Sequence, residues 1–218
     1  TTFQYEVNPD TWQIVPMEDS DASNDVVLLT FDDAPDQYAL EIAKKLDRLD
    51  APAIFFVNGM YLDNAEGEDM LKEIHKLGFE IGNHSYTHPD LTTLSYEEQL
   101  DEIKSVNDRV EEIIGVRPRF IRPPFGLFDE NTIKAIEQEQ MTLMNWTYGY
   151  DWEEEYQNGD ALADIMVNTE FLSPGSNLLM HDRSWTLDAQ EGIVSGLREK
   201  GYEFVDPAQL ISARDSNE

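Results

Sequence analysis

The 218-residue sequence predicts a single α/β domain whose parallel strands curl into a distorted (β/α) barrel of about seven strands. Three observations predict it. Seven short apolar runs alternate with stretches of helical periodicity, and no compositional break separates them. The first run, Val26-Val27-Leu28-Leu29, is apolar at consecutive positions, as expected of a strand buried on both faces. Side chains suited to chemistry recur just past the ends of these runs, at the edge where parallel folds gather their ligands.

In order, an acidic, Asp/Asn/Ser-rich lead-in occupies residues 1–25. It is expected to pack on or beside a catalytic domain spanning 26–218, as an edge hairpin or as an outer wrap. Val26–Phe31 reads as the first strand. Tyr38–Leu49 reads as a helix, with Tyr38, Ile42, Leu46 and Leu49 on one face. Ala53–Val57 is a second strand. Asp69–Leu77 is a helix stopped by Gly78, and Glu80–Asn83 is a third strand. Ser95–Ile114 is the longest helix, opened by a Ser95/Glu98 capping box and closed by Gly115. Phe120–Arg122 is a short strand before Pro123-Pro124. Asn131–Gln138 is a helix and Met141–Trp146 the fifth strand. Ala161–Asn168 is helical, Asn177–Met180 is a strand, Leu187–Lys200 a helix and Glu203–Val205 the seventh strand. Barrel closure accounts for this count better than an open sheet does.

Fifteen basic against 45 acidic residues leave a net charge of −30, a field hostile to nucleic acid and to anionic membrane surfaces. No cysteine is present, so a disulfide framework and a thiolate zinc site are both excluded. Any metal must use His and carboxylate ligands. No apolar stretch approaches the roughly 18 residues that a bilayer span needs. The chain starts at Thr1 with no signal peptide, as a chain whose upstream segment had been removed would.

The chemistry starts at Thr30-Phe31-Asp32-Asp33-Ala34-Pro35. Two adjacent carboxylates do not belong inside an apolar strand, because a bare buried charge is costly. Asp32 and Asp33 are therefore expected at the strand's exit. His84 and His88, four apart, are expected to share one face of a helical turn after the third strand. Two imidazoles and one carboxylate make a three-ligand site with a position open for water; a pair of surface histidines is the alternative. His181 follows Leu178-Leu179-Met180, where it could be a reactive group or a satisfied core residue. Arg122 before Pro123-Pro124-Phe125-Gly126 could grip a carboxylate bidentately or form a surface salt bridge. Trp152, after Asp151, could stack on a sugar or belong to the core. His75, among charged residues mid-helix, reads as solvated.

Together these segments resemble the five motifs of the polysaccharide deacetylases, carbohydrate esterase family 4 with the NodB homology domain. The motifs are Thr30–Pro35, His84–His88, Arg122–Gly126, Asp151-Trp152 and Leu179–His181, and the likeness runs from about Val26 to Pro207. It implies a NodB-like barrel and one divalent metal ion, usually zinc, with cobalt or nickel able to replace it. It implies that Asp33, His84 and His88 bind the metal, Asp32 is the general base, and Arg122 orients Asp32. His181 would be the general acid paired with Asp151. The Phe125 N–H would face the oxyanion, and Trp152 and Leu179 would wall the acetyl pocket. The implied substrate is an acetylated glycan, with peptidoglycan N-acetylglucosamine first, chitooligosaccharides second and acetyl-xylan third. The implied setting is extracellular or at a bacterial cell wall, as a monomer. A non-catalytic glycan-binding relative is the rival reading, and the absence of a His-Glu-x-x-His helix argues against a metalloprotease.

Two departures stand out. Ala34 replaces a usual glycine, which would be strained if that position had φ above zero. Tyr148 stands where an aspartate is common, and is expected to alter the rim near Asp151.

Overall fold

The computed structural model describes residues 3–217. Its centre is β3 (Val26–Ala34), and the parallel strands β4 (Ile54–Val57), β5 (Glu80–Asn83), β6 (Phe120–Ile121) and β7 (Thr142–Leu143) follow to one side. On the other side lie β9 (Ser176–His181) and then β8 (Tyr148–Gly149). These seven strands curl into a half-barrel. Helices α1 (Ala39–Arg48), α2 (Ala65–Lys76), α3 (Tyr96–Ile114), α4 (Glu130–Gln138), α5 (Gly159–Asn168) and α6 (Ser184–Glu199) are the crossovers. No helix among the described residues is long and apolar enough to cross a membrane.

Alternation along β3 gives the barrel its two faces. Val27, Leu29 and Phe31 join Ile42 and Leu46 of α1 and Leu71 of α2 in the larger core cluster. Val26 and Leu28 point the other way, into a second cluster with Ile54, Phe56, Phe120 and Met144. The same face continues upward as Thr30 and Asp32, so the interior changes from apolar to polar towards the strand's C-terminal end. That gradient places the chemistry at one end and leaves the other to packing.

The lead-in forms a hairpin of β1 (Tyr5–Val7) and β2 (Ile14–Pro16), paired antiparallel. Its Tyr5 and Ile14 are buried in the inner cluster. The capping box at Ser95 and Glu98 is present, and Gly115 ends α3 in the left-handed region at φ 78°. Helix α2 starts earlier than the sequence predicts because the Asn64 side chain accepts the Gly67 N–H (2.8 Å). Likewise Asn158 caps α5 through the N–H groups of Asp160 and Ala161.

The fifth strand differs most from expectation. Predicted over 141–146, it pairs with β6 only at Thr142 and Leu143, with a last bond from Met144 N–H to the Ile121 carbonyl (2.8 Å). The chain then crosses to the far edge, where the Thr147 N–H meets the Asn177 carbonyl (2.8 Å) and β8 begins. The seventh strand of the ribbon is therefore Tyr148–Gly149. The strand expected at 203–205 is β10 (Glu203–Phe204), which lies off that path against the start of β3.

Candidate active site

At the C-terminal ends of the strands lies a groove of about 550 Å³. Nine of the ten residues singled out in the sequence line it, and the tenth, Arg122, is buried beneath. Neighbours in a strand normally face opposite sides, yet Asp32 and Asp33 both reach this groove. The register explains it: Phe31 pairs with Phe55 and Ala34 with Val57, so three steps of β3 match two of β4. This bulge re-aims a side chain. Asp33 sits within it at φ 60°, a left-handed conformation that Asp tolerates better than most residues. Ala34 lies outside that region and is buried, so alanine fits there without backbone strain.

His84 and His88 do not share a helical turn. The segment between them is a loop with Ser85 at φ 70° and His88 at φ 62°. Pro89, which disfavours helix at the residue before it, was the readable signal. The loop is held by Asn83 Oδ1, which accepts the Ser85 N–H (2.8 Å), and by Glu102, which accepts the N–H groups of Tyr86 and Thr87 and the Thr87 hydroxyl. Four groove residues or their loop neighbours thus have positive φ without being glycine: Asp33, Ser85, His88 and Phe125. Such strain concentrates at functional sites, where surrounding structure over-determines it.

The three groups form a compact set. The Asp33 Oδ1 atom stands 3.4 Å from Nε2 of His84 and 3.4 Å from Nε2 of His88. Two tetrahedral ligands, each about 2.0–2.1 Å from a zinc ion, would be roughly 3.4 Å apart. The His84 Nδ1–H donates to the Arg122 carbonyl (2.6 Å), leaving Nε2 with a lone pair aimed at the groove. Oδ1 of Asp33 is buried and accepts no hydrogen bond. Burial would raise the Asp33 carboxyl, but His84, His181 and His88 together hold it down at about 2. Burial, reinforced by the charge of His84, pushes His88 below its usual value and favours the neutral ligating form. An orphaned carboxylate oxygen facing two imidazole nitrogens fits a divalent cation. Among the described residues no other His/Asp/Glu group gathers this way.

Asp32 is kept separate from that set. Its Oδ1 accepts from Arg122 (2.9 Å), and its Oδ2 lies 3.6 Å from Nε2 of His84. The sequence suggested a bidentate Arg grip; the structure gives Asp32 one of the guanidinium nitrogens. The remaining donors go to Thr30 Oγ1 (2.7 Å), the carbonyls of Met144 (3.0 Å) and Asn145 (2.9 Å), and Asn177 Oδ1 (3.3 Å). These carbonyls belong to the segment where the chain leaves β7 for β8. A fully buried guanidinium, lying over the Phe56 ring at 4.4 Å, thus fills the gap where the barrel fails to close.

Parallel pairing of β3 with β9 sets His181 beside Asp32 in the register. His181 Nδ1 bonds to Asp151 Oδ1 (2.6 Å), and the other Asp151 oxygen accepts the His181 N–H (2.6 Å) and the Thr186 hydroxyl (2.7 Å). Burial would lower the imidazole, but the Asp151 carboxylate, helped by Asp32 and Asp33, raises it above its usual value. Trp152 is no core residue: it is 49% exposed and stands edge-on to His181 at 5.8 Å. Gly149 permits this, since a Cβ there would meet the Leu179 carbonyl at 2.4 Å and the Trp152 ring at 2.8 Å. Phe125 sits at φ 62°, its ring edge-on to His88 at 5.0 Å. Its turn is closed by Gly126 N–H to Pro123 and Leu127 N–H to Pro124, which leaves the Phe125 N–H outside the turn's own bonds. Tyr148 does not reach the rim. It is buried, and its hydroxyl donates to the Met166 carbonyl (2.6 Å).

Sequence reasoning missed several participants. Trp146, Gln157, Arg183 and Trp185 also line the groove, and the Trp185 indole donates to the Asp151 carbonyl (2.7 Å). Asp182 accepts the N–H groups of Asp36, Tyr38 and Ala39, capping α1 from the end of β9. Helix α1 has no side-chain cap of its own, so the absence of a Ser, Thr, Asp or Asn at Tyr38 was the one available hint.

Comparison with known proteins bears on the family and the fold. A family model described as polysaccharide deacetylase matches residues 19–144. A peptidoglycan-N-acetylglucosamine deacetylase of Bacillus cereus is 32% identical over 187 residues, 82% of this chain and 66% of that protein. The chain therefore spans just under two thirds of that relative. The structure of the peptidoglycan deacetylase PdaC from Bacillus subtilis superposes with a TM-score of 0.76 at 32% identity, covering 86% of this chain and 91% of that one. A family 4 pseudoenzyme from Bacillus anthracis superposes equally well, with a TM-score of 0.77 at 31% identity over 85% of this chain and 64% of that one. Fold likeness alone does not separate active from inactive members, so the reading must rest on the side chains.

Proposed function

The chain belongs to the polysaccharide deacetylase family, and from that premise we propose that it is a metal-dependent hydrolase that removes N-acetyl groups from a β-1,4-linked amino-sugar polymer. Peptidoglycan N-acetylglucosamine is the first candidate substrate, in line with the similarity to the Bacillus cereus enzyme. The observation that carries the proposal is the unpartnered Asp33 Oδ1 facing two imidazoles, with Asp32 and His181 paired beside it in the β3–β9 register.

Asp33, His84 and His88 would hold the ion. A bound divalent cation would polarise the acetyl carbonyl and make its water more acidic. Asp32, with one oxygen tied to Arg122 and the other directed at the site, is placed to take the proton of the attacking water. The Phe125 N–H, unused in its own turn, would bond the oxygen that becomes negative as the amide is attacked. His181, its Nδ1 bonded to Asp151, presents its other ring nitrogen to the groove and can protonate the departing amine. Trp152 and Leu179 offer an apolar wall for the acetyl methyl.

Acetate release should be measured on chitooligosaccharides, peptidoglycan and acetyl-xylan, with and without a chelator. The expected result is release from an N-acetylated glycan, lost with chelator and restored by added zinc. Glycan binding without turnover on any of the three would overturn the proposal and put the chain with the pseudoenzymes.

His181 gives a second test. A general acid must be protonated, so activity falls as pH rises through its pKa. Asp151 raises that pKa, hence Asp151→Asn should move the alkaline limb of the kcat/KM profile to lower pH. It should also slow turnover by roughly 10²–10⁴-fold. An alkaline limb that stays in place would show that His181 is not the acid.

A further inference from the structure

Trp12, which lies outside the part of the chain matched by the family model, touches both the hydrogen-bond chain behind Asp32 and the loop that carries Phe125. Trp12 lies in the turn of the lead-in hairpin at φ 67°. Left-handed geometry is rare for a bulky side chain and persists only where neighbours enforce it. Here the Trp12 N–H donates to the Asn8 carbonyl (2.8 Å), the Asn8 N–H to Gln13 (2.8 Å), and Asn8 Oδ1 takes the Asp10 and Thr11 N–H groups. The far side of the turn is pinned by Ile14 N–H to the Gly175 carbonyl (2.8 Å).

Trp12 makes two contacts beyond the hairpin. Its carbonyl accepts from Asn177 Nδ2 (3.2 Å). Asn177 is fully buried, its Oδ1 accepts from Arg122 (3.3 Å), and Arg122 holds Asp32 (2.9 Å). The Trp12 ring stands edge-on to Phe128, centroids 6.4 Å apart at 88°. Phe128 ends the loop that carries Phe125. Elsewhere that loop is held by Asn145, which donates to the Gly126 carbonyl (3.1 Å), and by close packing of Gly126 on Trp146. Phe128 itself is 40% exposed and Leu127 46%, so the outer end of the loop has few other restraints.

We propose that Trp12 is a positioning residue for the reaction. Its ring braces the 124–128 loop, which aims the Phe125 N–H, and its carbonyl completes the hydrogen-bond chain that steadies Arg122 behind Asp32. The lead-in hairpin is thereby a working part of the catalytic unit. The kinetic side of this inference rests on the deacetylase reading above; the structural side does not.

The test uses the full chain with Trp12→Ala and Trp12→Phe. Amide hydrogen exchange at residues 125–128 should speed up in Trp12→Ala while the amides of α3 stay unchanged, and Trp12→Phe should restore protection. On a short N-acetylated oligosaccharide, kcat of Trp12→Ala should fall on the order of 10-fold or more, since an ångström of misplacement can cost about 10²-fold. KM and zinc stoichiometry should hold, and Trp12→Phe should recover most of the rate. Unchanged exchange in the loop would overturn the proposal. So would a lower melting temperature with kcat per zinc-loaded molecule intact, which marks a covering residue only. A KM that rises with glycan length at constant kcat would overturn it in favour of a sugar-stacking platform. If the wild-type chain deacetylates nothing, the deacetylase reading fails, and the exchange measurement still decides whether Trp12 braces the loop.

Discussion

Asp33→Ala protein should purify without stoichiometric zinc and should release acetate no faster than background. Asp33 supplies the only carboxylate of the three-group set, and its Oδ1 is the buried atom without a hydrogen-bond partner. Its removal would leave two imidazoles, of which His88 is only half buried. Two neutral ligands hold a divalent ion far more weakly than three; the chain has no cysteine to replace the lost oxygen, and the nearest other acid, Asp32, is tied to Arg122. His84→Ala should behave the same way. Its Nδ1–H is spent on the Arg122 carbonyl, which leaves Nε2 for the groove side, 3.4 Å from Asp33 Oδ1. Isothermal titration with zinc, combined with an acetate assay, reads both effects. Wild-type zinc affinity or turnover in either variant would exclude this set as the metal centre. Asp32→Asn offers the contrast: zinc should still bind, because Asp32 is committed to Arg122, while turnover should fall roughly 10²–10⁴-fold.

Arg122→Met should be the most destabilising single change in the site. The guanidinium is fully buried and donates to five acceptors, one of them the buried carboxylate of Asp32. Methionine approximates the volume and restores no donor. Asp32 would then be left as a buried charge without its cation, the Met144 carbonyl would lose its donor in the gap between β7 and β8, and the Asn145 carbonyl would keep only Asn177 Nδ2 (3.1 Å). Breaking a buried ion pair from one side costs about 3–5 kcal/mol. For a domain of this size that is a fall in Tm on the order of 10 °C. Arg122→Lys should recover part of it, since an ammonium can pair with Asp32 but cannot reach both carbonyls with a planar fork. Thermal unfolding of the three proteins checks this. A Tm within a degree of wild type for Arg122→Met would mean that the gap is held by something else.

These two residues also show how far local sequence carried. Arg122 was legible as a strand-end arginine that could hold a carboxylate, and it does hold Asp32. Its larger task was not legible, because nothing local to Phe120–Gly126 tells that the carbonyls of Met144 and Asn145 turn to a side chain for a donor. The single strand expected over 141–146 hid that gap, since an apolar run reads the same whether its chain stays on one edge or crosses to another. Asp33 was legible as an acid at a strand exit. Its turn towards the side occupied by Asp32 was not, because it depends on a register shift against β4. The His84–His88 pair was expected to converge through a helical turn and converges through a loop instead, held by Glu102 from α3. Tyr148 was expected at the rim and is in the core, because its short strand presents that side chain to α5.

By itself the sequence determined the parallel α/β architecture, the end of the sheet where chemistry collects, and the identity of the groups gathered there. Those properties follow from periodicity, burial and the cost of placing charge in an apolar run, all of which act over a few neighbouring residues. Only the tertiary structure decided which way each group points. It separated Asp33, facing two imidazoles, from Asp32, tied to a buried arginine. It left the barrel open between β7 and β8, and brought Trp12 of the lead-in hairpin against both Asn177 and Phe128. Orientation here is set by hydrogen bonds between segments far apart in the chain, such as Asn177 to Trp12 and Arg122 to Asp32, and no local pattern encodes those partners.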